Sequence, residues 1–165
     1  MDLLDREVFT VITALVLIGS LIALFEMDLG WAREHYISIS LLNERCLIGG
    51  YPVNAYVDTP VKLCIEVHNE LGYPVYARIV YKIADNTTLP SREKPSPEKE
   101  RTVYELLVDN GETRYLRVNI SIPMEYAGRR IAIVFELWIY DPETNEWVYT
   151  GRWTHLFVYV IEVPL

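Results

Sequence analysis

Three side chains that can bind a metal alternate along one short segment: Cys64, Glu66 and His68. A thiolate, a carboxylate and an imidazole together suit a transition-metal ion. In an extended strand, however, alternate residues lie roughly 6.5–7 Å apart, too far for all three to share one small ion without a bend. No second Cys/His pair supports such a site. We therefore interpret the segment as the polar outer face of a sheet and predict no metal.

The two cysteines, Cys46 and Cys64, are predicted to fall on consecutive strands. If neighbouring strands place them opposite each other, a disulfide could form in an oxidising compartment. Two unpaired thiols fit the sequence equally well. The sequence alone leaves both alternatives open.

Catalytic motifs are missing from the sequence. The histidines at 35, 68 and 155 are scattered, and no Ser or Cys lies in a nucleophile motif. Neither a phosphate-binding loop nor a Gly-rich dinucleotide fingerprint is present. We predict that the protein is not an enzyme and needs no cofactor.

The charge balance excludes some partners. The formal net charge is −8, and 51% of the residues are hydrophobic. A chain with this apolar content folds, and its acidic surface repels phosphate backbones. We therefore predict no nucleic-acid partner.

The N-terminal region carries an uninterrupted uncharged run at residues 8–25. As a helix its 18 residues span roughly 27 Å, close to the hydrocarbon core of a bilayer. The acidic residues Asp2, Asp5 and Glu7 precede it, and no small-residue cleavage site follows it, unlike a signal peptide. We predict one transmembrane helix within an anchor at residues 1–34.

From Tyr36 onward, apolar and polar residues alternate with a period of two, for example at Val61, Leu63, Ile65 and Val67. This period is typical of half-buried strands in an antiparallel sheet. Turn signals such as Asn110-Gly111 separate seven or eight strands. Residues 35–165 are therefore predicted to form a mostly β domain, an antiparallel β-sandwich similar to immunoglobulin and fibronectin type III domains.

One connection, residues 85–100, is long and rich in Pro, Ser, Lys and Glu. Its composition favours a mobile, solvated loop over a ligand-binding loop.

Two features favour a β domain outside the cytoplasm. Asn86 and Asn119 each begin a sequence of the N-glycosylation type, and the cysteine pair is compatible with an oxidising compartment. We predict a single-pass protein of the cell membrane with an extracytoplasmic β domain.

The two C-terminal strands are apolar on both faces. Aromatic residues on an outward sheet face stabilise the sheet by pairing across strands, and they also form patches that partners cover. We predict an interface there, formed by Trp138, Tyr140, Trp153, Phe157 and Tyr159.

Residues 50–54, 61–70, 130–140, 147–149 and 152–160 together carry a family resemblance. Over residues 36–163 the chain resembles the soluble domain of a family of predicted archaeal membrane proteins of unknown function. The resemblance implies an outward-facing, membrane-associated sandwich and no catalytic residues. Members commonly have several spans before this domain, whereas this chain has one, which argues against a channel or transporter body.

The sequence thus predicts a non-enzymatic surface or accessory protein. Its β domain would bind other membrane or cell-surface proteins, or a copy of itself; an accessory of a motility or pilus machine is one such role. The alternative is a carbohydrate- or small-ligand-binding module that uses exposed, coplanar aromatic rings at the cell surface.

Overall fold

The computed structural model describes residues 2–29 and 35–162. The chain divides into two compact units, Met1–Glu34 and His35–Leu165. The described residues of the first unit form the helix α1 (Asp2–Leu29). The hydroxyls of Thr13 and Ser20 donate to the carbonyls of Phe9 and Val16, four residues earlier, so neither needs water.

All residues from Glu7 to Ala23 are exposed on α1, and its large apolar side chains are 52–71% accessible. No helix within residues 2–29 and 35–162 combines the length and the apolar character needed to cross a membrane. The predicted N-terminal helix is therefore confirmed, whereas its predicted passage through a membrane is not.

The second unit is mostly β and contains two sheets. Its strands are β1 (Ile37–Leu42), β2 (Asn54–Tyr56), β3 (Val61–Asn69), β4 (Val75–Ala84), β5 (Glu100–Val108), β6 (Glu112–Ile120), β7 (Arg130–Asp141) and β8 (Glu146–Ile161). One sheet has the order β1-β3-β6 and the other β2-β8-β7-β4-β5. Every pairing is antiparallel except β2 with β8, so the wholly antiparallel arrangement that the sequence predicts is wrong at this short strand.

The core lies between the inward faces of the two sheets, as in a β-sandwich. Ile65 and Val118 of the three-stranded sheet and Ile79, Ile133 and Phe135 of the five-stranded sheet are fully buried. Core-facing side chains recur at every second position of these strands, because successive side chains point to opposite faces of a sheet.

The strand register groups the loops at two ends of the domain. Ile37 pairs with Asn69, and Ala77 pairs with Ile139, so the chain enters the domain at the end that carries the β3–β4 loop and the β7–β8 turn. We call this the entry end. Leu42 pairs with Cys64 at the opposite, far end, where residues 43–53 form a loop.

Candidate interaction surface on the five-stranded sheet

The predicted interface residues lie on the outer face of the five-stranded sheet. Their strands, β7 and β8, pair along nearly their full length, with a register shift after Leu137. Tyr159 is exposed, and the other four are half-buried: Trp138, Tyr140, Trp153 and Phe157. The chain itself covers part of this face, which divides it into two regions.

Residues 85–99 pack over the far-end half of the face through Leu89 and the buried Ser96, while more than half of the segment is exposed. Leu89 joins an apolar cluster with Trp153 and Phe157 around the buried Ala132 and Val134. The predicted loop is thus exposed over much of its length but is also attached to the sheet, and we call this segment the clasp. Two of the predicted interface residues, Trp153 and Phe157, pack against it.

A buried ionic cluster fixes the clasp to the sheet. Lys82 is 4% exposed and Glu136 is fully buried. Lys82 Nζ lies 3.1 Å from Glu136 Oε2 and donates to Ser96 O at 2.7 Å. Ser96 N donates to Glu136 Oε1 at 2.6 Å, and Trp138 Nε1 donates to Oε2 at 3.3 Å. Each charge thus has an opposite charge and a clasp backbone group as partners, as buried charges require.

A second contact holds the clasp near the middle of the face. The Tyr149 hydroxyl donates to Ser91 O at 2.9 Å. Burial, and next the negative charge of Glu136, raises the pKa of Tyr149 to about 12. Gly151 lies beside this contact with φ +69°, and a Cβ there would collide with Arg92 O. Only glycine allows the clasp to approach so closely.

The entry-end half of the same face is partly accessible, with Tyr76 exposed and its neighbours half-buried. We call its cluster the aromatic face: Tyr76, Arg78, Trp138, Tyr140, Trp147 and Tyr149. Trp147 is central, because the ring centroids of Tyr76 and Tyr140 lie 5.3 and 5.5 Å from its own. The guanidinium of Arg78 lies 3.9 Å above the Trp147 ring, a cation–π contact.

One carboxylate sets the charge of the aromatic face. Glu105 Oε1 accepts two hydrogen bonds from Arg78, at 3.0 and 2.7 Å, and Oε2 accepts one from the Tyr76 hydroxyl at 2.6 Å. The Tyr76 bond, followed by the Arg78 bonds, lowers the pKa of Glu105. The ion pair leaves the face close to neutral and holds Arg78 against Trp147.

The rings are tilted against one another. The interplanar angles are 43° for Tyr76 and Trp147, 65° for Tyr140 and Trp147, and 51° for Trp138 and Tyr149. They form an interlocked, uneven apolar surface and no coplanar platform.

Sequence reasoning found only part of this surface. It identified Trp138 and Tyr140 but missed Tyr76, Trp147 and Tyr149. The pairings of Trp138 with Tyr149 and of Tyr140 with Trp147 follow from a short turn after Asp141. Matching residues across that turn would therefore have found them.

The cysteines and the glycosylation-type sequences lie outside the aromatic face. Cys46 and Cys64 are joined as a disulfide with a Cα–Cα distance of 5.2 Å. The expectation that both are on strands is wrong, because Cys46 lies in the far-end loop. Cys64 therefore offers no thiolate, and His68 Nδ1 lies 2.9 Å from Thr113 Oγ1. Asn86 and Asn119 are both exposed, and their glycosylation remains a prediction.

Comparison with known proteins yields structural similarities alone. No protein-family model matches the chain, and no curated protein matches it. The suspected family therefore remains a resemblance.

Three solved structures are similar over most of this chain. The CARDB domain of a Pyrococcus furiosus protein, in complex with di-metal ions, has a TM-score of 0.47 at 11% identity, covering 78% of this chain and 90% of that one. AvmM, which catalyses macrocyclization in alchivemycin A biosynthesis, has a TM-score of 0.45 at 10% identity, covering 78% and 90%. A Listeria innocua β-glucosidase in complex with glucose has a TM-score of 0.45 at 6% identity, and the match covers 80% of this chain but 17% of the glucosidase. Similarities of this degree carry no argument about this chain.

Proposed function

We propose that this protein is a non-enzymatic accessory protein whose β domain binds another protein, or a second copy of itself, through the aromatic face. The observation that carries the proposal is the contrast between the two halves of one sheet face. The clasp packs on Trp153 and Phe157 of the far-end half. In the aromatic face the clasp reaches the Tyr149 hydroxyl, whereas Tyr76 is exposed and Trp147 stays partly accessible.

The composition of the aromatic face supports a protein partner. Trp, Tyr and Arg are enriched at the residues that dominate protein–protein binding energy. Arg78 is already held against Trp147 by Glu105, so binding would cost little side-chain entropy. A sugar that stacks across several side chains would instead need coplanar, exposed aromatic rings, and the tilts of 43° to 65° disfavour the carbohydrate-binding alternative.

We further propose that α1 anchors the protein to the cell membrane, with the β domain outside the cytoplasm. The exposed apolar side chains from Val8 to Ile22 would cost roughly 25 cal/mol per Å² in water, and lipid removes that cost. The disulfide suits an oxidising compartment. Retention in membranes washed with alkaline carbonate is the expected result, whereas release into the supernatant would contradict the anchor.

The test of the aromatic face is a matched pair of variants in the full chain, purified in mild detergent. Trp147→Ala should weaken co-purification of the partner, or self-association in analytical ultracentrifugation, by at least tenfold. Tyr115→Ala removes an exposed aromatic from the other sheet and should change neither. Circular dichroism checks that both variants remain folded. Normal assembly of Trp147→Ala, or a monomeric wild type without partners, would refute the proposal.

The structure revises which variants are informative. Sequence reasoning favours both Trp138→Ala and Trp153→Ala as assembly variants. Trp153 packs against the clasp, so its removal should destabilise the domain and report poorly on assembly.

A further inference from the structure

A cavity of about 730 Å³ lies at the entry end and shares Tyr76 and Tyr140 with the aromatic face. Ile139 and Val148 pair with each other on the inward side of the β7–β8 hairpin. Val148 is nevertheless 44% exposed, so the three-stranded sheet does not cover the hairpin here. The uncovered inner side of the hairpin forms part of the cavity wall.

Most of the cavity wall is apolar or aromatic. Besides the hairpin, Pro74 and Leu107 contribute, and Leu107 is 57% exposed. The volume lies in the range of about 300–1,000 Å³ that is usual for ligand pockets. One or two large apolar side chains of a partner therefore fit inside.

The polar part of the wall has one sign of charge. Asp141 and Glu143 line the cavity, and no Lys, Arg or His lines it. Within the described part of the chain, neither carboxylate forms an ion pair. Asp141 accepts hydrogen bonds from Glu143 N at 2.9 Å and Thr144 Oγ1 at 3.0 Å, which fixes its position and lowers its pKa. Both the position and the charge of Asp141 are therefore set before any ligand arrives.

From this cavity and its charges we propose that the entry-end cavity binds a basic peptide segment of the partner protein. An apolar side chain of that segment enters the cavity beside Leu107, and a neighbouring Lys or Arg lies against Asp141 and Glu143. This inference rests on the proposed function, because the cavity continues the aromatic face and specifies the chemistry of the same partner. An acidic segment or an anionic lipid surface would be repelled by the two carboxylates.

The test uses two synthetic peptides and the full chain in phosphatidylcholine nanodiscs. The basic probe is fluorescein-Gly-Lys-Leu-Ile-Lys-Gly-amide, and the acidic probe has Glu in place of each Lys. We expect the basic probe to bind at least tenfold more tightly in fluorescence anisotropy. Its affinity should fall as salt screens the charges, since the Debye length shortens from about 10 Å at 0.1 M to 3 Å at 1 M.

Variants of the chain locate the binding. Leu107→Lys places a positive charge in the cavity and should weaken the basic probe more than tenfold. Glu143→Gln, which removes one charge with little change in shape, should weaken it about threefold. Leu47→Lys is the matched control, because Leu47 is 60% exposed in the far-end loop and should leave binding unchanged.

The inference would be overturned by equal binding of both probes, by no binding of the basic probe, or by an equal loss in Leu47→Lys and Leu107→Lys. If phosphatidylglycerol nanodiscs bind in place of the probe, and Leu107→Lys abolishes this binding, the cavity is a lipid site. That result would also overturn the inference. If the wild type binds no probe and Leu107→Lys loses self-association, the cavity binds a second copy of the chain. That result would overturn the inference as well. If Trp147→Ala still abolishes assembly in any of these cases, the proposed function stands and only the cavity assignment fails.

Discussion

Glu136 lies diagonally opposite Lys82 on neighbouring strands, with Nζ and Oε2 3.1 Å apart, and a loop rather than a second sheet buries the pair. Lys82 pairs in register with Val134, and Glu136 pairs with Val80. Both charges also bond the backbone of Ser96. The clasp is therefore held by two charged side chains of the sheet, Lys82 and Glu136, which are buried beneath it.

Removal of one member of this pair should strongly destabilise the domain. Lys82→Met leaves Glu136 buried without its counter-charge, and breaking a buried pair costs about 3–5 kcal/mol. Urea denaturation measures the loss in the free energy of unfolding. The control is Arg114→Ala, which breaks the exposed pair with Glu112 and should cost less than about 1 kcal/mol.

The double variant Lys82→Met/Glu136→Leu provides a second comparison. It should lose less stability than the sum of the single variants, because neither charge is left unpaired. Equal losses in Lys82→Met and Arg114→Ala would contradict the assigned role of the pair.

The sequence predicts the layout of the β domain well. Where apolar and polar residues alternate, as around Ile65 and Ile79, the period of two alone determines which side chains face the core. The helix was equally predictable from its apolar run. These features depend on nearby residues, which the sequence displays directly.

The clasp was not predictable in the same way. Its composition is that of a solvated loop, and the group that Glu136 and Lys82 recognise is the backbone of Ser96, which has no sequence signature. The available signal was the two charges themselves, since each interrupts an apolar strand. Contacts between residues 40 positions apart depend on the complete fold.

A methyl group at Gly151 should displace the clasp. Gly151→Ala adds a Cβ that would collide with Arg92 O, at a residue that already has φ +69°. We expect the free energy of unfolding to fall by about 2 kcal/mol or more, together with faster cleavage by trypsin within residues 85–99.

Gly128→Ala is the control, because φ is +73° there but the added Cβ meets nothing within 4 Å. It should cost about 1 kcal/mol and leave clasp cleavage unchanged. Equal cleavage rates in the two variants would show that the clasp does not depend on this close approach.

Reduction of the disulfide should destabilise the β domain by about 3 kcal/mol, because the bond closes a loop with a sequence separation of 18. Urea denaturation with and without dithiothreitol measures this loss. The variant Cys46→Ser/Cys64→Ala should match the reduced wild type and should not respond to dithiothreitol. A wild type that is equally stable in both conditions would refute the contribution of the bond.

Alkaline pH should loosen the clasp through Tyr149. Burial and Glu136 raise the pKa of Tyr149 to about 12, above the value of about 10 expected in the unfolded chain. The folded state therefore favours the neutral phenol. The resulting contribution to the free energy of unfolding is complete below pH 10 and is lost as the pH rises from 10 to 12. A phenolate also cannot donate to Ser91 O.

The free energy of unfolding of wild type, compared with that of Tyr149→Phe at a series of pH values, isolates the effect. The advantage of the wild type should shrink across this window, and phenolate absorbance at 295 nm should rise more in the wild type than in the variant, by about one tyrosine. A constant difference from pH 9 to 12 would mean that Tyr149 ionises no differently in the folded and unfolded chains.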